Sequence, residues 1–199
     1  MHEMSKSVFH RIKDSRYALR YLVGDGIDIG AGPDSLAQYA EFFPLMNSCR
    51  AWDLEDGDAE LMASVENNTY DFVHSSHCLE HMRNMHVALS HWMRILKPGG
   101  HLICLVPDED LYEQCVFPST FNSDHKHTLT IHKKESWSPA SVNLFDLIAS
   151  LDCAVKVKKI ELLDATYRYH LANQLQRRFD QTTTLVGECA IEFILQKMS

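Results

Sequence analysis

One segment near the N-terminus constrains the fold most, the stretch GIDIGAGPDSL at residues 26–36. The apolar residues on either side of Asp28 predict a buried strand, which Gly30 and Gly32 follow directly, and the residues after Pro33 have a helical pattern. A glycine loop between a strand and a helix lets a ligand approach the backbone and free N–H groups. The segment therefore predicts either a plain tight turn or a loop that binds a nucleotide-like ligand.

Strand-like and helix-like segments alternate along the chain, and two strand-like segments follow near its C-terminus. This order predicts one α/β domain over residues 1–199, with a mainly parallel sheet, helices on both faces and an antiparallel strand pair at the C-terminal edge. We expect a leading helix over residues 1–22 and a later helix with Ser138 as its N-cap. The polar, histidine-rich residues 108–137 are expected to form an insertion after the predicted strand HLICLVP.

Charge and cysteine content restrict the partners and the compartment. The formal net charge of -8 argues against nucleic acid as a main partner, because phosphate binding needs a basic face. The apolar runs are too short to span a bilayer, and the N-terminal residues lack the apolar core of a signal peptide. The cysteines are scattered without a C-x-x-C pair, which favours reduced thiols. The sequence thus predicts a cytoplasmic protein with no membrane or nucleic-acid partner, and it allows a homodimer.

Two features of the glycine loop disfavour a dinucleotide. Ser35 stands where G-x-G-x-x-G requires its third glycine, and Asp28 would place a negative charge beside a pyrophosphate. A carboxylate there suits a ligand with cationic groups, such as the sulfonium and ammonium of S-adenosylmethionine. Asp53 lies 21 residues after Gly32, at the usual spacing of an acid that binds ribose hydroxyls.

Four segments, in this order, resemble class I S-adenosylmethionine-dependent methyltransferases: DIGAG, GDAELM, YDFVHSSHCLEHM and HWMRILKPGGHLICLVPDED. The resemblance covers residues 26–110, and the KPGG turn before an apolar strand is very characteristic of that family. Two later segments, FPSTFNSDHKHTLTI and SWSPASVNLFDL, resemble a type 11-like bacterial branch that often accompanies surface-glycan synthesis. The resemblance implies a Rossmann-like fold, methyltransferase activity and S-adenosyl-L-methionine as the cofactor.

The resemblance also assigns roles to individual residues. It implies that seven of them surround the cofactor: Asp28, Gly30 and Gly32 at the methionine part, Asp53 at the ribose, Asp58 and Ala59 at the adenine, and Ser75 beside the methyl-transfer centre. His77, which follows the predicted strand YDFVHSS, is expected to border the same centre.

The spacing of two of these acids departs from the family pattern. A helix and a strand usually separate the ribose acid from the adenine acid, whereas Asp53 and Asp58 are five residues apart. Either the sheet is trimmed on its second- and third-strand side, or one assignment is wrong. Asp56 is a further candidate for one of the contacts, and an acidic solvated turn is the alternative interpretation of the whole segment.

Histidines are the candidate bases. Methyl transfer to a hydroxyl needs alignment, exclusion of water and usually a base, and histidine has a suitable pKa near neutral pH. His125 and His127 are the first candidates, because they flank Lys126 next to Asp124 in the expected substrate loop. A solvated loop with incidental histidines is the alternative for this pair, and His77 is the third candidate.

A metal site also has to be considered in the segment HSSHCLEH. His77 and His81 would share one face of a helix, with Glu80 nearby. However, no thiolate ligand joins them, and their order differs from the H-E-x-x-H zinc motif. A histidine at the position of His81 is also common in the family without a metal. The sequence therefore predicts no metal.

The preferred function is methyl transfer from S-adenosylmethionine to a polar small molecule, with a sugar or glycan-precursor hydroxyl as the acceptor. Two alternatives stay open: N-methylation of an amine or protein side chain, and a non-catalytic protein that binds S-adenosylmethionine. A dinucleotide oxidoreductase is disfavoured by the missing third glycine and by the GDA and KPGG segments.

Overall fold

Eight strands occur in the computed structural model, which describes residues 3–172 and 178–199. They are β1 Gly24–Ile29, β2 Met46–Trp52, β3 Tyr70–Ser76, β4 Leu96–Pro107, β5 Thr128–Thr130, β6 Ser141–Asn143, β7 Val155–Leu163 and β8 Ala190–Lys197. Six strands form one sheet in the order β2-β1-β3-β4-β8-β7, whereas β5 and β6 form a separate parallel pair.

The direction of strand pairing confirms the predicted fold class. β1 pairs in parallel with β2 on one side and with β3 on the other, and β4 extends the parallel set beyond β3. β8 pairs antiparallel with both β4 and β7, which gives the expected edge. Strand order reverses at β1, and ligands of open α/β sheets bind at the carboxyl ends of strands at such a point. The topology therefore places a binding crevice beyond Ile29.

The sheet is trimmed beyond β2. Residues 53–69 form a series of turns between β2 and β3, with no strand or regular helix among them. β2 is consequently the edge strand, and the chain returns directly from it to the centre of the sheet. This confirms the first of the two explanations for the short spacing between Asp53 and Asp58.

Three α-helices flank the sheet in the described part of the chain: α1 Glu3–Arg11, α2 Met85–Ile95 and α3 Leu144–Ala149. Phe72 and Ile103 pack with α1 on one face, whereas Val73 and Leu102 belong to the core that α2 and α3 cover on the other. Alternate strand residues point to opposite faces, so the two layers follow from the period of the strands. None of the helices in the described residues has the length and apolar character needed to cross a membrane.

Two predicted helices differ from the structure. The leading helix ends at Arg11, and a separate helical turn covers Tyr17–Tyr21. Between them, the Asp14 side chain accepts a hydrogen bond from the backbone N–H of Arg16, an arrangement that competes with helix formation. Residues 1 and 2 of the predicted helix lie outside the described residues.

The later helix begins at Leu144 rather than after Ser138. Residues 141–143 pair with residues 128–130 as strands, and this tertiary contact replaces the first turns of the predicted helix. Asn143 precedes the first helical residue, so the expected N-cap role of Ser138 is wrong.

A buried network of charged side chains joins α1 to the sheet. Arg11 is fully buried and donates to Glu192 Oε1 from Nε at 3.1 Å and from Nη2 at 2.9 Å. Its Nη1 lies 3.0 Å from His74 Nε2, and His74 Nδ1 lies 2.5 Å from Asp28 Oδ1. Burial alone would raise the pKa of Glu192, but Arg11 and its other cationic neighbours hold that pKa well below its usual range. The network therefore connects the N-terminal helix to the start of the glycine loop.

Candidate active site

The glycine loop has the backbone shape that only glycine adopts readily. Gly30 and Gly32 have φ values of +73° and +52°, and the Gly30 N–H donates to the Trp52 carbonyl at 2.9 Å. A Cβ atom on Gly30 would lie 2.6 Å from Cβ of Cys78, whereas one on Gly32 would meet no atom within 4 Å. Gly30 thus permits the close approach of two loops, and Gly32 faces open space.

The Asp28 side chain fixes the position of the glycine loop through hydrogen bonds. Its Oδ2 atom accepts a hydrogen bond from the Leu36 N–H at 2.7 Å, and its Oδ1 atom lies 2.5 Å from His74. The carboxylate is 2 % exposed, and it lines a small cavity of about 140 Å³ together with Gly30 and Gly32. Because protein groups already engage both oxygens, the geometry supports positioning of the loop. Direct contact with the methionine part of the cofactor stays a prediction.

A cleft near the carboxyl ends of the parallel strands has a volume of about 600 Å³, within the range of small-molecule sites. Six of the ten predicted site residues line it: Gly30, Gly32, Asp53, Asp58, Ala59 and His77. The adjoining small cavity shares Gly30, Gly32 and His77 with it. The cleft therefore extends from the loop after β1 to the loop after β3, as a ligand site at the strand reversal requires.

Asp53 and Asp58, the two acids that are only five residues apart, line the same cleft. Asp53 Oδ2 accepts from the Gly32 N–H at 3.1 Å, and Asp53 Oδ1 accepts from the Leu54 N–H at 2.8 Å. Asp58 Oδ1 accepts from the Glu60 N–H at 2.8 Å. Both acids are exposed, so their carboxylates can reach a ligand. Trimming of the sheet brings the predicted ribose and adenine acids together without an intervening strand.

Asp56 supports this turn and does not line the cleft. Its Oδ2 atom accepts from the Asp53 N–H at 3.0 Å, and its Oδ1 atom lies 3.3 Å from Nη2 of Arg50. These contacts fix the backbone that carries Asp53.

Ser76, rather than Ser75, faces the small cavity. Ser75 is buried and donates from Oγ to the Ile29 carbonyl at 2.9 Å, which joins β3 to β1. Ser76 lines the cavity with His74, and its Oγ lies 3.0 Å from Nδ1 of His77. The alternation of strand side chains, which puts His74 and Ser76 on one face, is the signal that could have identified Ser76.

His77 is the predicted base that lines the cleft. Its φ of +53° is unusual for a residue with a side chain, and it lines both cavities. Burial, reinforced by the nearby His125, lowers the pKa of His77 to about 3. His77 is therefore neutral at physiological pH, and its ring can accept or donate one hydrogen bond in the cleft.

The other two candidate bases lie outside the residues that line the cleft. His125 is buried, and its Nδ1 atom lies 2.6 Å from Oε1 of Glu113, not beside Asp124 as the sequence suggested. His127 is half-buried, and its Nε2 atom lies 3.3 Å from the Arg83 carbonyl. A role as base stays a prediction for both residues.

Glu80, considered from the sequence only as a neighbour of His77 and His81 in a metal site, is a buried acid. It is 0 % exposed, and neither carboxylate oxygen has a hydrogen-bond partner among the described residues. Burial raises the pKa of Glu80 to about 7, although His125 opposes the shift. No local pattern identifies such a residue, because its burial depends on the insertion: the backbone N–H groups of Lys126 and His127 donate to the Glu80 carbonyl.

The acids that open the insertion hold it together. Asp108 Oδ1 accepts from the N–H groups of Asp110 and Leu111, which caps the following helical turn. Glu109 accepts hydrogen bonds from Thr128 at 2.9 Å and from Lys133 at 2.7 Å. These side chains fix the insertion against the end of β4.

Comparison with known proteins identifies the family of the chain. A family described as the methyltransferase domain matches residues 4–146. An uncharacterized methyltransferase of Schizosaccharomyces pombe is 35% identical over 57 residues, which cover 29% of this chain and 20% of that protein. The chain thus matches about a fifth of the length of this curated relative.

Solved structures share the fold at low identity. A putative S-adenosylmethionine-dependent methyltransferase of Listeria monocytogenes has a TM-score of 0.61 and 13% identity, with 100% of both chains covered. Phosphoethanolamine N-methyltransferase 2 of Haemonchus contortus, in complex with S-adenosyl-L-methionine, has a TM-score of 0.57 and 15% identity. That comparison covers 93% of this chain and 51% of the other.

The fold is shared with solved structures of S-adenosylmethionine-dependent methyltransferases, and the chain belongs to the methyltransferase domain family. Its cofactor is accordingly S-adenosylmethionine. The cleft fits S-adenosylmethionine, because it combines a glycine loop, an exposed acid at the end of β2 and a volume of about 600 Å³.

Proposed function

We propose that the chain transfers the methyl group of S-adenosylmethionine to an oxygen atom of a polar small molecule, with a sugar or glycan-precursor hydroxyl as the acceptor. One observation carries the proposal: His77, His81 and Asp124 line the same cleft as Asp53 and Asp58. A hydroxyl acceptor needs polar groups that orient it and assist the loss of its proton. A neutral amine is already nucleophilic and needs less assistance.

Each part of the cleft has a role in this proposal. Asp53 binds the ribose hydroxyls, Asp58 and Ala59 meet the adenine, and the loop at Gly30 and Gly32 holds the methionine part. When bound, the cofactor supplies a methyl carbon that its sulfonium already activates. The neutral ring of His77 orients the acceptor hydroxyl toward the methyl carbon.

Replacing Asp53 with alanine should raise the Kd for S-adenosylmethionine about 10- to 100-fold. The reason is that hydrogen bonds to a charged group contribute roughly 1.5–3 kcal/mol, and about 1.4 kcal/mol corresponds to a tenfold change in affinity. The variant also loses the bond between Asp53 and the Gly32 N–H. Isothermal titration calorimetry with folded protein measures this change.

Glu55→Ala is the matched control, because Glu55 is an exposed acid on the same turn and does not line the cleft. Its Kd should equal that of the wild type. If Asp53→Ala binds S-adenosylmethionine as tightly as the wild type, Asp53 does not contact the cofactor. If both variants bind it equally weakly, the loss comes from the change in net charge and not from a contact of Asp53.

Mass spectrometry of the product tests the acceptor class. The wild-type chain is incubated with methyl-labelled S-adenosylmethionine and a panel of sugars, sugar nucleotides and amines. A labelled methyl ether is the expected product. A labelled N-methyl product overturns the choice of oxygen, and cofactor binding without labelled product from any member of the panel favours a non-catalytic binding protein.

The remaining predictions concern the binding partner, the cellular location and the oligomeric state. The net charge of -8 favours a polar small molecule over nucleic acid as the partner. The cytoplasmic location and the homodimer stay predictions.

A further inference from the structure

Three side chains of metal-ligating type meet beside the cofactor cleft. Glu80 and His81 lie on the short helical turn after β3, and His125 comes from the insertion. The Nε2 atoms of His81 and His125 each lie 3.8 Å from Oε1 of Glu80, and the three ligand atoms lie within 4.8 Å of one another. These separations exceed hydrogen-bond distances, so the three groups converge without bonding directly.

The carboxylate at the centre of this group, which we call the Glu80 cluster (Glu80, His81 and His125), lacks an ordinary partner. Glu80 is fully buried, and neither of its oxygens has a hydrogen bond within the described residues. Buried charged groups are costly unless they are paired or coordinate a metal. The unpartnered carboxylate is therefore an observation that points to a ligand, independently of the two imidazoles.

Carboxylates fix the orientation of both imidazoles. His125 Nδ1 lies 2.6 Å from Oε1 of Glu113, and His81 Nδ1 lies 2.9 Å from Oδ2 of Asp124. A metal-ligating histidine almost always donates its second ring N–H to a carboxylate, carbonyl or water, which directs the other nitrogen at the metal. In both residues the Nε2 atom is the one on the side of Glu80.

We propose that Glu80, His81 and His125 bind one divalent first-row transition metal ion of the zinc class. Two imidazoles and one carboxylate suit such ions, and three protein ligands leave a coordination position open, as in catalytic zinc sites. Ligand atoms lie roughly 2.0–2.2 Å from zinc. Ligand atoms of a tetrahedral ion are then roughly 3.4 Å from one another, so the two Nε2 atoms, each 3.8 Å from Oε1 of Glu80, have to move closer to it when the ion binds.

The open position defines a task for the ion, and this part of the inference rests on the proposed function. His81 lines the cleft with His77, so an ion on His81 borders the space for the acceptor. A hydroxyl bound to the ion releases its proton to water more easily. The acceptor oxygen then forms a bond to the methyl carbon while the carbon–sulfur bond breaks and its electron pair stays on sulfur.

Binding of Co²⁺ and Zn²⁺ to the full chain tests the site without knowledge of the acceptor. The metal-stripped wild type should bind one ion per chain by equilibrium dialysis, and bound Co²⁺ should develop visible absorption typical of nitrogen and oxygen ligands. Glu80→Gln, which keeps the shape of the side chain, should weaken this binding at least about 100-fold. Glu113→Gln should weaken it about 10- to 100-fold through loss of the support of His125.

His132→Ala controls for adventitious binding, because His132 is exposed and lies outside the Glu80 cluster. Its affinity for the ions should equal that of the wild type. Circular dichroism and titration with S-adenosylhomocysteine on the same samples show whether each variant is folded.

The outcomes separate this inference from the proposed function. Less than one ion per wild-type chain, or equal affinity in wild type and Glu80→Gln, overturns the metal site even where S-adenosylhomocysteine binds normally. One ion per chain with the predicted loss in Glu80→Gln supports the site even where the cofactor product fails to bind, and that failure counts against the proposed function alone.

Discussion

Replacing Arg11 with alanine is expected to lower the free energy of unfolding by about 3–5 kcal/mol, the usual cost of removing one partner from a buried ion pair. Arg11 and Glu192 are both 0 % exposed, and two hydrogen bonds join them. The variant leaves a buried carboxylate with fewer partners and breaks the contact with His74. Chemical denaturation, monitored by circular dichroism, measures the loss in the free energy of unfolding.

Arg16→Ala provides the comparison, because Arg16 forms an ion pair of 2.6 Å with Asp14 on the surface. Exposed pairs contribute about 0–1 kcal/mol, so this variant should stay close to the wild type. The double variant Arg11→Met with Glu192→Gln should recover part of the lost stability, since it removes both members of the fully buried pair. Lys159, which also pairs with Glu192, keeps its ion pair with Glu161. Equal losses in Arg11→Ala and Arg16→Ala would contradict the role of burial.

Gly30→Ala should combine a loss of stability of about 2–5 kcal/mol with a strong loss of affinity for S-adenosylmethionine. A left-handed backbone costs a residue with a side chain roughly 1–2 kcal/mol, and overpacking costs typically about 1–3 kcal/mol more. The new Cβ would lie 2.6 Å from Cβ of Cys78 and 2.7 Å from its Sγ. The loop has to move, and the cleft lining at Gly30 moves with it.

Gly32→Ala separates backbone strain from crowding. Gly32 also has a positive φ, but an added Cβ meets nothing within 4 Å. This variant should lose only about 1–2 kcal/mol of stability. Chemical denaturation of both variants measures the loss in the free energy of unfolding. Equal losses in Gly30→Ala and Gly32→Ala would show that crowding against Cys78 contributes nothing.

The sequence predicts the sheet well because its signals are local. Local patterns identify β1, β2, β3, β4, β7 and β8, and their order is enough for the parallel sheet with its antiparallel edge. The end of α1 and the late start of α3 were not predictable, since a side-chain contact at Asp14 and the pairing of β5 with β6 decide them. The strand pairing depends on tertiary structure, whereas the Asp14 contact is a local alternative to the helix that apolar periodicity does not show.

The candidate site likewise has a part that the sequence predicts and a part that it does not. Gly30, Asp53 and Asp58 belong to continuous motifs, and the structure places all three in one cleft. By contrast, the contacts of His125 with Glu113 and with Glu80 join segments that are distant in sequence. Spacing along the chain does not encode such meetings, so the sequence paired His125 with its neighbour Asp124.

A crystal structure with bound S-adenosylhomocysteine tests the central claim, that the cleft between the glycine loop and the loop after β3 holds the cofactor. The account predicts the ribose hydroxyls within about 2.5–3.2 Å of the Asp53 carboxylate, with the sulfur on the side of His77. Clear density for the molecule in another cavity, or a ribose away from Asp53 within this cleft, would contradict it.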